Sequence, residues 1–239
     1  MEFAENGAVV KPDTTGVADT YDSNKSDRGY ADGPRPTLGL FGAMRIGLSI
    51  YIGVEILWQM ILAAYLVFPS RLPEFMFATA ETDLNFVVLG SFLYLAATII
   101  AFFFSCRFTY RAMRNLHTIH SPVAQISPGW SVGYYFIPFA NLVMPANAMS
   151  QVYHGTYQAV GEQSRQASPI PIWWTCWLLS GVGESIADRS GMTGLTAFAF
   201  YVSSGLLGIA AAVSLWRMSA RVAVRQEQFQ IGGVAHVFD

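Results

Sequence analysis

Long apolar stretches without charged residues constrain this chain more than any other feature of its sequence. The clearest runs from about 84 to 106 and is rich in Phe, Leu, Val and Ile. A helix rises about 1.5 Å per residue, so roughly twenty residues cross a hydrocarbon core about 30 Å thick. Three further stretches, at about 46–68, 172–187 and 194–216, approach or exceed that length. They predict an all-α integral membrane bundle of four transmembrane helices.

The composition of the chain also indicates a membrane protein. The chain is 53% hydrophobic and only 13% charged, whereas soluble domains carry about 25% charged residues. Its net charge is −2, and its basic residues lie beside apolar stretches instead of forming one basic domain. This distribution argues against nucleic acid as a partner. Membrane lipid is therefore the expected surroundings of most of the chain.

The domain organisation follows from the same contrast between polar and apolar segments. Residues 1–42 are polar, with Asp scattered among Gly, Pro, Ser and Thr. Such a composition buries too little apolar surface to offset the entropy lost on ordering, so it predicts a disordered tail. A transmembrane helical domain is expected over 43–225, followed by a short cytoplasmic tail over 226–239.

One further uncharged segment, at 130–149, is about as long as a membrane span but differs from the others. It contains Pro138 and Pro145, with Asn141 and Asn147 beside them. Each proline removes a backbone donor and clashes with the preceding turn, so a straight helix facing lipid is disfavoured. The segment is predicted to be interfacial or re-entrant, and Asn141 to pair with backbone groups that the prolines leave free or to line a binding pocket.

The distribution of basic residues favours four spans over five. With four spans only Arg71 and Arg189 face outside, and both chain ends are cytoplasmic. The other basic residues then lie inside, as the positive-inside rule requires. These are Lys11, Lys25, Arg28, Arg35, Arg45, Arg107, Arg111, Arg114, Arg165, Arg217, Arg221 and Arg225. A fifth span would move the last three of them outside.

Two carboxyl groups fall inside predicted spans. Glu55 lies near the middle of the first and Glu184 near the far end of the third. An ionised carboxylate at the bilayer centre costs at least about 2.5 kcal/mol. Each is therefore either part of a proton or ion path facing a wet cavity, or a neutral carboxyl hydrogen-bonded to a neighbouring helix.

An arginine stripe follows the second span. At about 100° per residue, Arg107, Arg111 and Arg114 share one side of a helix. A separate apolar face carries Phe108, Ala112, Leu116 and Ile119. This pattern predicts an amphipathic helix at the inner membrane surface. Its arginines attract anionic headgroups or, alternatively, contact a dedicated ligand or protein partner.

The sequence contains no strong signal for a metal, a cofactor or catalysis. His117 and His120 stand three residues apart and His154 lies further on, but no acidic or thiol ligand has a supporting spacing. Cys106 and Cys176 lie in or beside apolar stretches, as buried thiols do. Phosphate-binding loops, nucleophile elbows and zinc-protease patterns are missing from the sequence. We therefore expect no metal, no cofactor and no enzymatic activity.

Two short motifs carry a resemblance to a known family. Residues 110–116 read Tyr-Arg-Ala-Met-Arg-Asn-Leu and include Asn115. Residues 127–141 read Ser-Pro-Gly-Trp-Ser-Val-Gly-Tyr-Tyr-Phe-Ile-Pro-Phe-Ala-Asn, and Pro145 follows. The chain thus resembles, over about 45–220, a bacterial membrane family catalogued as domain of unknown function 4328. The resemblance implies a multi-span protein of the bacterial inner membrane and no established activity, so it transfers no catalytic residue.

Three functional hypotheses follow, in order of preference. The first is a non-enzymatic scaffold, regulatory or envelope protein that binds lipid headgroups and associates with a protein partner or a second copy of itself. The second is a small transporter or channel component, in which Glu55 and Glu184 line a polar path. A membrane enzyme comes third, because clustered nucleophiles and bases are missing from the sequence.

Overall fold

The computed structural model describes residues 33–67, 86–163, 169–189 and 194–229, and every regular element in these ranges is helical. The predicted disorder of the first 32 residues and the structure of the last ten fall outside the described residues, as does residue 68, the expected end of the first span. The helices are α1 (Leu38–Val67), α2 (Phe86–Thr118), α3 (Trp130–Gly133), α4 (Met144–Ala159), α5 (Ile170–Arg189) and α6 (Gly194–Gln226).

Three helices are long and apolar enough to cross a membrane. They are α1 over Leu38–Ala64, α2 over Val88–Thr118 and α6 over Leu195–Gln226, with mean hydropathies of 1.7, 2.1 and 1.8. The predicted third span coincides with α5, which is 20 residues long. However, its tryptophans and its charged residues lower its mean hydropathy. The protein is thus an all-helical, multi-pass membrane protein in which three spans, not clearly four, are identified by length and composition.

Two of the long helices extend beyond the predicted spans. Helix α1 begins at Leu38, before the expected start at about 46, and α6 continues past the expected end at 216 to Gln226. The continuation of α6 keeps a helical period of buried residues, since Met218, Val222 and Ala223 have no exposed surface. A helix continues where one face remains buried, even after its sequence has become too polar for lipid.

The tightly packed core lies at one end of the bundle. There, α4 packs against the extensions of α2 and α6. We call α4 together with residues 107–118 and 215–226 the lobe. The predicted apolar face of α2 belongs to this core, because Phe108, Ala112 and Leu116 are fully buried. Outside the lobe, many large apolar side chains of α1, α2 and α6 are exposed, as expected for helices surrounded by lipid.

The segment at 130–149 is broken, as its prolines predict. After the single turn of α3, two 3-10 turns follow at Tyr134–Phe136 and Ala140–Leu142, and Pro138 lies between them. Pro145 then occupies the first turn of α4, where its missing N–H leaves no intrahelical bond unmade. The segment does not end at 149, because α4 continues to Ala159. This helix was not predicted.

Candidate functional site

The carboxyl group of Glu55 is enclosed between helices. The residue is only 2% exposed on α1. One turn further on, the side-chain amide of Gln59 donates a hydrogen bond to Glu55 Oε1 at 2.7 Å, and a second to the carbonyl of Tyr201 on α6 at 3.3 Å. Glu55 therefore faces α6 and the bundle interior instead of lipid.

Tyr94 brings Glu55 and Glu184 together. Its hydroxyl, on α2, donates to Glu184 Oε1 on α5 at 3.5 Å, and the same side chain also interacts with the carboxyl of Glu55. The ring of Tyr51 lies against that of Tyr94, with centroids 6.0 Å apart. The two carboxyls from different helices thus meet at one tyrosine. We call Tyr51, Glu55, Gln59, Tyr94 and Glu184 the polar cluster.

Glycines on α6 provide the space for the polar cluster. A Cβ added at Gly205 would overlap Gln59 Nε2 and Glu55 Oε1, and one at Gly208 would lie 2.6 Å from the hydroxyl of Tyr51. The helices therefore approach so closely that no side chain fits at these positions. Within the described part of the chain, the Gln59 Oε1 atom is buried and has no hydrogen-bond partner.

The chemistry open to the polar cluster follows from its donors and acceptors. A tyrosine hydroxyl has one proton and can donate to only one carboxyl at a time. Two carboxylates close together in a medium of low dielectric repel each other, so the arrangement favours a shared proton or a bound cation. Close packing equally suits a closed hydrogen-bonded contact that fixes α1, α2 and α5 together.

A second polar pair continues from the cluster along α5. Asp188 lies one turn after Glu184, and its Oδ1 accepts a hydrogen bond from the hydroxyl of Tyr201 at 2.7 Å. The carbonyl of Tyr201 in turn accepts from Gln59. Neither Tyr94 nor this pair was predicted, although a tyrosine inside an otherwise apolar stretch is the signal that could have drawn attention to each.

Asn115 joins the segment before α1 to the lobe. The side chain is 1% exposed. Its Oδ1 accepts from the backbone N–H of Arg35 at 3.0 Å, and its Nδ2 donates to the carbonyl of Arg35 at 2.8 Å. The same Nδ2 donates to Gln226 Oε1 at 3.1 Å. The Asn115 side chain thus bonds both backbone polar groups of Arg35, 80 positions earlier in the chain, as a neighbouring backbone segment would.

Gln226 completes this joint, which we call the amide joint. Its Nε2 donates to the carbonyl of Ala112 and to the hydroxyl of Thr156, both at 3.0 Å. Next to it, Glu227 Oε1 accepts the backbone N–H groups of Thr37 and Leu38 at 2.9 and 3.1 Å. Because the first N–H groups of a helix have no intrahelical partner, Glu227 caps α1 from the far end of the sequence. None of these contacts was predicted.

The arginines of α2 lie on the side opposite its buried face. Arg107 is exposed, and Arg111 and Arg114 are half-buried. The Arg107 guanidinium lies over the Phe103 ring, 5.8 Å from its centroid. The backbone of a fourth arginine, the exposed Arg35 before α1, is bonded to the side chain of Asn115, which lies four residues after Arg111.

Asn141 does not have the backbone role that was expected for its side chain. Its Oδ1 is buried without a hydrogen-bond partner in the described ranges. The carbonyl of Leu142 is instead satisfied by Trp174, whose indole N–H donates to it at 2.7 Å. The tryptophan-rich start of α5 is thus hydrogen-bonded to the broken segment.

At the exposed surface of the lobe, an ion pair and a cation–π contact join α6 to α4 and the residues that follow α4. Arg225 donates to Glu162 Oε2 at 2.7 Å and stacks over the ring of Tyr157, 4.0 Å from its centroid. Burial raises the pKa of the Tyr157 hydroxyl above its ordinary value, and its hydrogen-bonded pairing with the Tyr153 hydroxyl raises it further. Tyr157 therefore remains neutral and serves as a stacking surface.

The histidines have separate environments. His117 Nε2 lies 2.9 Å from the carbonyl of Ile126 and holds the loop after α2. His154 packs against the ring of Tyr153. In the ranges that the structure describes, no group of three or more His, Cys, Asp or Glu is placed to hold a metal ion. Cys106 and Cys176 are half-buried free thiols.

Comparison with known proteins identifies one family. The model of the family described as "Domain of unknown function (DUF4328)" matches residues 72–227. The match includes the arginine stripe, the broken segment, and Asn115, Gln226 and Glu227 of the amide joint, but not Arg35. Helix α1 lies outside it, since the match begins at residue 72 and ends at 227, whereas the resemblance was expected over about 45–220. No curated protein and no solved structure matches the chain.

Proposed function

The chain belongs to the family described as Domain of unknown function (DUF4328), and from that premise we propose that it is a non-enzymatic scaffold or regulatory protein of the bacterial inner membrane. The observation that carries the proposal is the amide joint. Asn115 and Gln226 are both 1% exposed, and their amides are bonded within the protein. Because these two amides are buried and already hydrogen-bonded within the protein, they stabilise the lobe and cannot bind a substrate.

We propose a topology of four spans with both chain ends in the cytoplasm. The support is the distribution of basic residues along the sequence, because this topology leaves only Arg71 and Arg189 of the 14 outside. A helix of 20 residues such as α5 has a length of about 30 Å, which matches a hydrocarbon core. On this topology the lobe is the cytoplasmic surface of the protein.

We further propose that the broken segment lies at the inner membrane interface. Phe136 and Phe139 are 71% and 85% exposed, which suits lipid better than water. The ring of Phe102, inside the apolar part of α2, packs against Tyr135 and Phe136 at centroid distances of 5.2 and 6.0 Å. The segment therefore lies beside membrane-level residues of α2.

Reporter fusions test the topology. Fusions after Ala80 and near Ser190 should report the outer side, and fusions after His120 and at the C-terminus the inner side, because basic loops remain in the cytoplasm. Alkaline phosphatase and green fluorescent protein fusions give complementary signals at each position. A C-terminus on the outer side would overturn the four-span proposal and would require the broken segment to cross the membrane.

Photocrosslinking in cells tests the scaffold function. A photoreactive amino acid at Val224, which is 58% exposed on the lobe, should give one discrete protein adduct. The matched control is Leu206, which lies on the same helix, is 59% exposed and faces lipid on this topology. Adducts of equal intensity at both positions, or none at Val224 and at other exposed lobe positions, would contradict the proposal.

The alternative is a small transporter or channel component, and the meeting of Glu55 and Glu184 at Tyr94 favours it. Proton and cation flux into vesicles containing the purified chain distinguishes the two functions. We expect no flux above protein-free vesicles, because the glycines of α6 close the helices onto the cluster. Flux that is lost in Glu55→Gln, while the variant remains folded, would establish the transporter, since this change removes the ionisable group and keeps its shape.

A further inference from the structure

The middle of the broken segment exposes a continuous apolar surface. Four of its large side chains are more than half exposed, namely those of Phe136, Phe139, Leu142 and Val143. The one polar side chain among residues 136–143 is that of Asn141, which is half-buried. No Asp, Glu, Lys or Arg occurs between Arg114 and Glu162. We call residues 136–143 the insertion segment, because a surface of this composition is better matched by lipid or protein than by water.

The backbone of the insertion segment has few unpaired polar groups. Six of the seven carbonyls over residues 137–143 accept hydrogen bonds, and five of the six N–H groups donate one, since Pro138 has no N–H. Only one of these bonds comes from outside residues 134–147, and it is the bond from the indole of Trp174 to the carbonyl of Leu142. Because hydrocarbon offers no hydrogen bonds, unpaired backbone groups keep an irregular segment out of it. The insertion segment largely avoids that penalty.

Phe139 has a strained backbone conformation. Its φ is 64°, in a region that residues with a Cβ atom rarely adopt. Hydrogen bonds on both sides hold this conformation, since Asn141 donates to the carbonyl of Ile137 at 2.9 Å and Leu142 donates to that of Phe139 at 3.1 Å. The ring presented in this way is 85% exposed. Backbone strain persists only where the surrounding structure imposes it, and it is found in segments that have a role of their own.

Contacts with α2 show how deep the insertion segment lies. The ring of Phe136 packs against that of Phe102, with centroids 6.0 Å apart. Phe102 stands five residues before Arg107, a distance of about 7.5 Å along the helix. This depth lies within the range of about 5–10 Å to which interfacial segments bury their apolar faces. At the same level, Phe103 on the membrane-spanning α2 is 52% exposed. The insertion segment therefore continues the lipid-facing surface of α2.

We propose that the side chains of the insertion segment enter the acyl-chain layer of the leaflet beside the lobe. Its partner is the hydrocarbon of the lipid and not the headgroup, because the segment carries no charge. Exposed polar residues, Ser127 before the segment and Asn147 after it, mark where the chain enters and leaves this layer. The inference rests on the interfacial placement proposed above and deepens it by naming the acyl chains as the partner. Trp174 acts as a positioning residue, since its indole satisfies the carbonyl of Leu142.

Collision rates of a nitroxide spin label test the insertion. The full-length protein, with Cys106→Ser and Cys176→Ser, carries the label at Phe139→Cys or, as a second position, at Val143→Cys. It is reconstituted into bilayers of phosphatidylethanolamine and phosphatidylglycerol, and circular dichroism confirms that each variant remains helical. Molecular oxygen concentrates in hydrocarbon, whereas a nickel chelate stays in water. The measured quantity is the ratio of the label's collision rates with oxygen and with the chelate.

Leu206 and Val224 provide the matched controls, since both lie on α6 and are 59% and 58% exposed. The ratio at positions 139 and 143 should equal that at Leu206→Cys and exceed that at Val224→Cys on the lobe. A ratio equal to that at Val224→Cys would overturn both the insertion and the interfacial placement. An intermediate ratio would overturn the insertion alone and leave the segment among the headgroups.

Two further outcomes separate the insertion from other proposals. Exclusion of both reagents, with dipolar broadening between labels, would show that a second copy of the chain covers the segment, and the lipid assignment would be wrong. The comparison does not depend on which side of the membrane the lobe faces. Reporter fusions that place the lobe outside, together with a ratio equal to that at Leu206→Cys, would therefore contradict the topology and leave the insertion standing.

Trp174→Phe tests the positioning role. The change keeps an aromatic ring but leaves the carbonyl of Leu142 without its donor, and an unpaired carbonyl favours water over hydrocarbon. The label at Val143→Cys should therefore lose collisions with oxygen and gain collisions with the nickel chelate. Trp177→Phe is the matched control, because Trp177 lies on the same helix and stacks on the ring of Trp174, and it should leave both rates unchanged. Equal changes in the two variants, or none in Trp174→Phe, would show that Trp174 does not position the segment.

Discussion

Gly205→Val should lower the free energy of unfolding by about 3 kcal/mol, because overpacking a closed interface costs about 1–3 kcal/mol and a buried polar group left unpaired costs about 1–3 kcal/mol more. The added Cβ would overlap Gln59 Nε2 and Glu55 Oε1. The hydrogen bond of 2.7 Å between these two side chains would be lost, and α6 would move away from α1. The measurement is unfolding of the purified chain in mixed detergent micelles, followed by circular dichroism.

Gly53→Val provides the matched control for this effect. Gly53 lies on α1 near the same level, is exposed, and an added Cβ there meets no atom within 4 Å. The same change of side chain should therefore alter stability by no more than about 0.5 kcal/mol. Equal losses at the two positions would mean that valine itself, and not the close approach of α6 to α1, is responsible. The described packing around the polar cluster would then be wrong.

The same substitution also distinguishes the two roles of the polar cluster. If the cluster only fixes the helices, combining Gly205→Val with Glu55→Gln should cost less than the sum of the two, because the first change already breaks the contact that the second weakens. Additive losses would indicate that Glu55 interacts with a group outside the polar cluster, such as a bound cation.

The apolar spans were predictable because each is signalled within its own sequence. Helix α2 contains no charge over its membrane part, and no tertiary contact is needed to recognise such a stretch. The breaks at Pro138 and before Pro145 were predictable for the same reason, since proline acts on its own turn. Glu55 was also recognisable from the sequence alone, because a carboxyl within an apolar helix costs free energy whichever residues it contacts.

Helix α4 and the extension of α6 were missed for a different reason. Both are too polar for lipid, and their apolar residues are few. Met218 and Val222 are nevertheless fully buried at a spacing of one helical turn, so a search for helical periodicity beyond Trp216 would have found the extension. In α4 the Asn and Pro residues at its start indicated a loop, although Pro is favoured in a first turn.

The contacts that assemble the candidate sites could not be predicted, because their members are far apart in sequence. Tyr94 and Glu184 are separated by 90 positions, and Asn115 and Gln226 by 111. Nothing local to Gln226 distinguishes it from the exposed Gln228 two residues later. Only the packing of α2, α4 and α6 decides which glutamine is buried and bonded, and that packing is a property of the whole bundle.

Asn115→Leu should destabilise the protein by about 3 kcal/mol. Leucine has a volume similar to that of asparagine but forms no side-chain hydrogen bonds, so buried polar groups are left unpaired at about 1–3 kcal/mol each. Gln226 Oε1 loses its bond of 3.1 Å, and Arg35 loses both of its backbone partners. Arg35 is exposed, so water can replace the two hydrogen bonds that its backbone loses. Most of the loss therefore arises at Gln226. Detergent unfolding measures the change, and Gln158→Leu on the exposed side of α4 is the control, expected to change stability by no more than about 0.5 kcal/mol.

The double variant Asn115→Leu, Gln226→Leu separates the amide pair from general packing. When both polar partners are replaced by apolar groups, no amide remains unpaired between them, so the second change should add less than it does alone, with a coupling of about 1–2 kcal/mol. Thr156 loses one donor in this variant, and Ala112 loses its side-chain donor. For that reason the double variant should remain less stable than the wild type. Strict additivity would show that Asn115 and Gln226 act independently, and the amide joint would then not be the element that holds α2, α6 and the segment before α1 together.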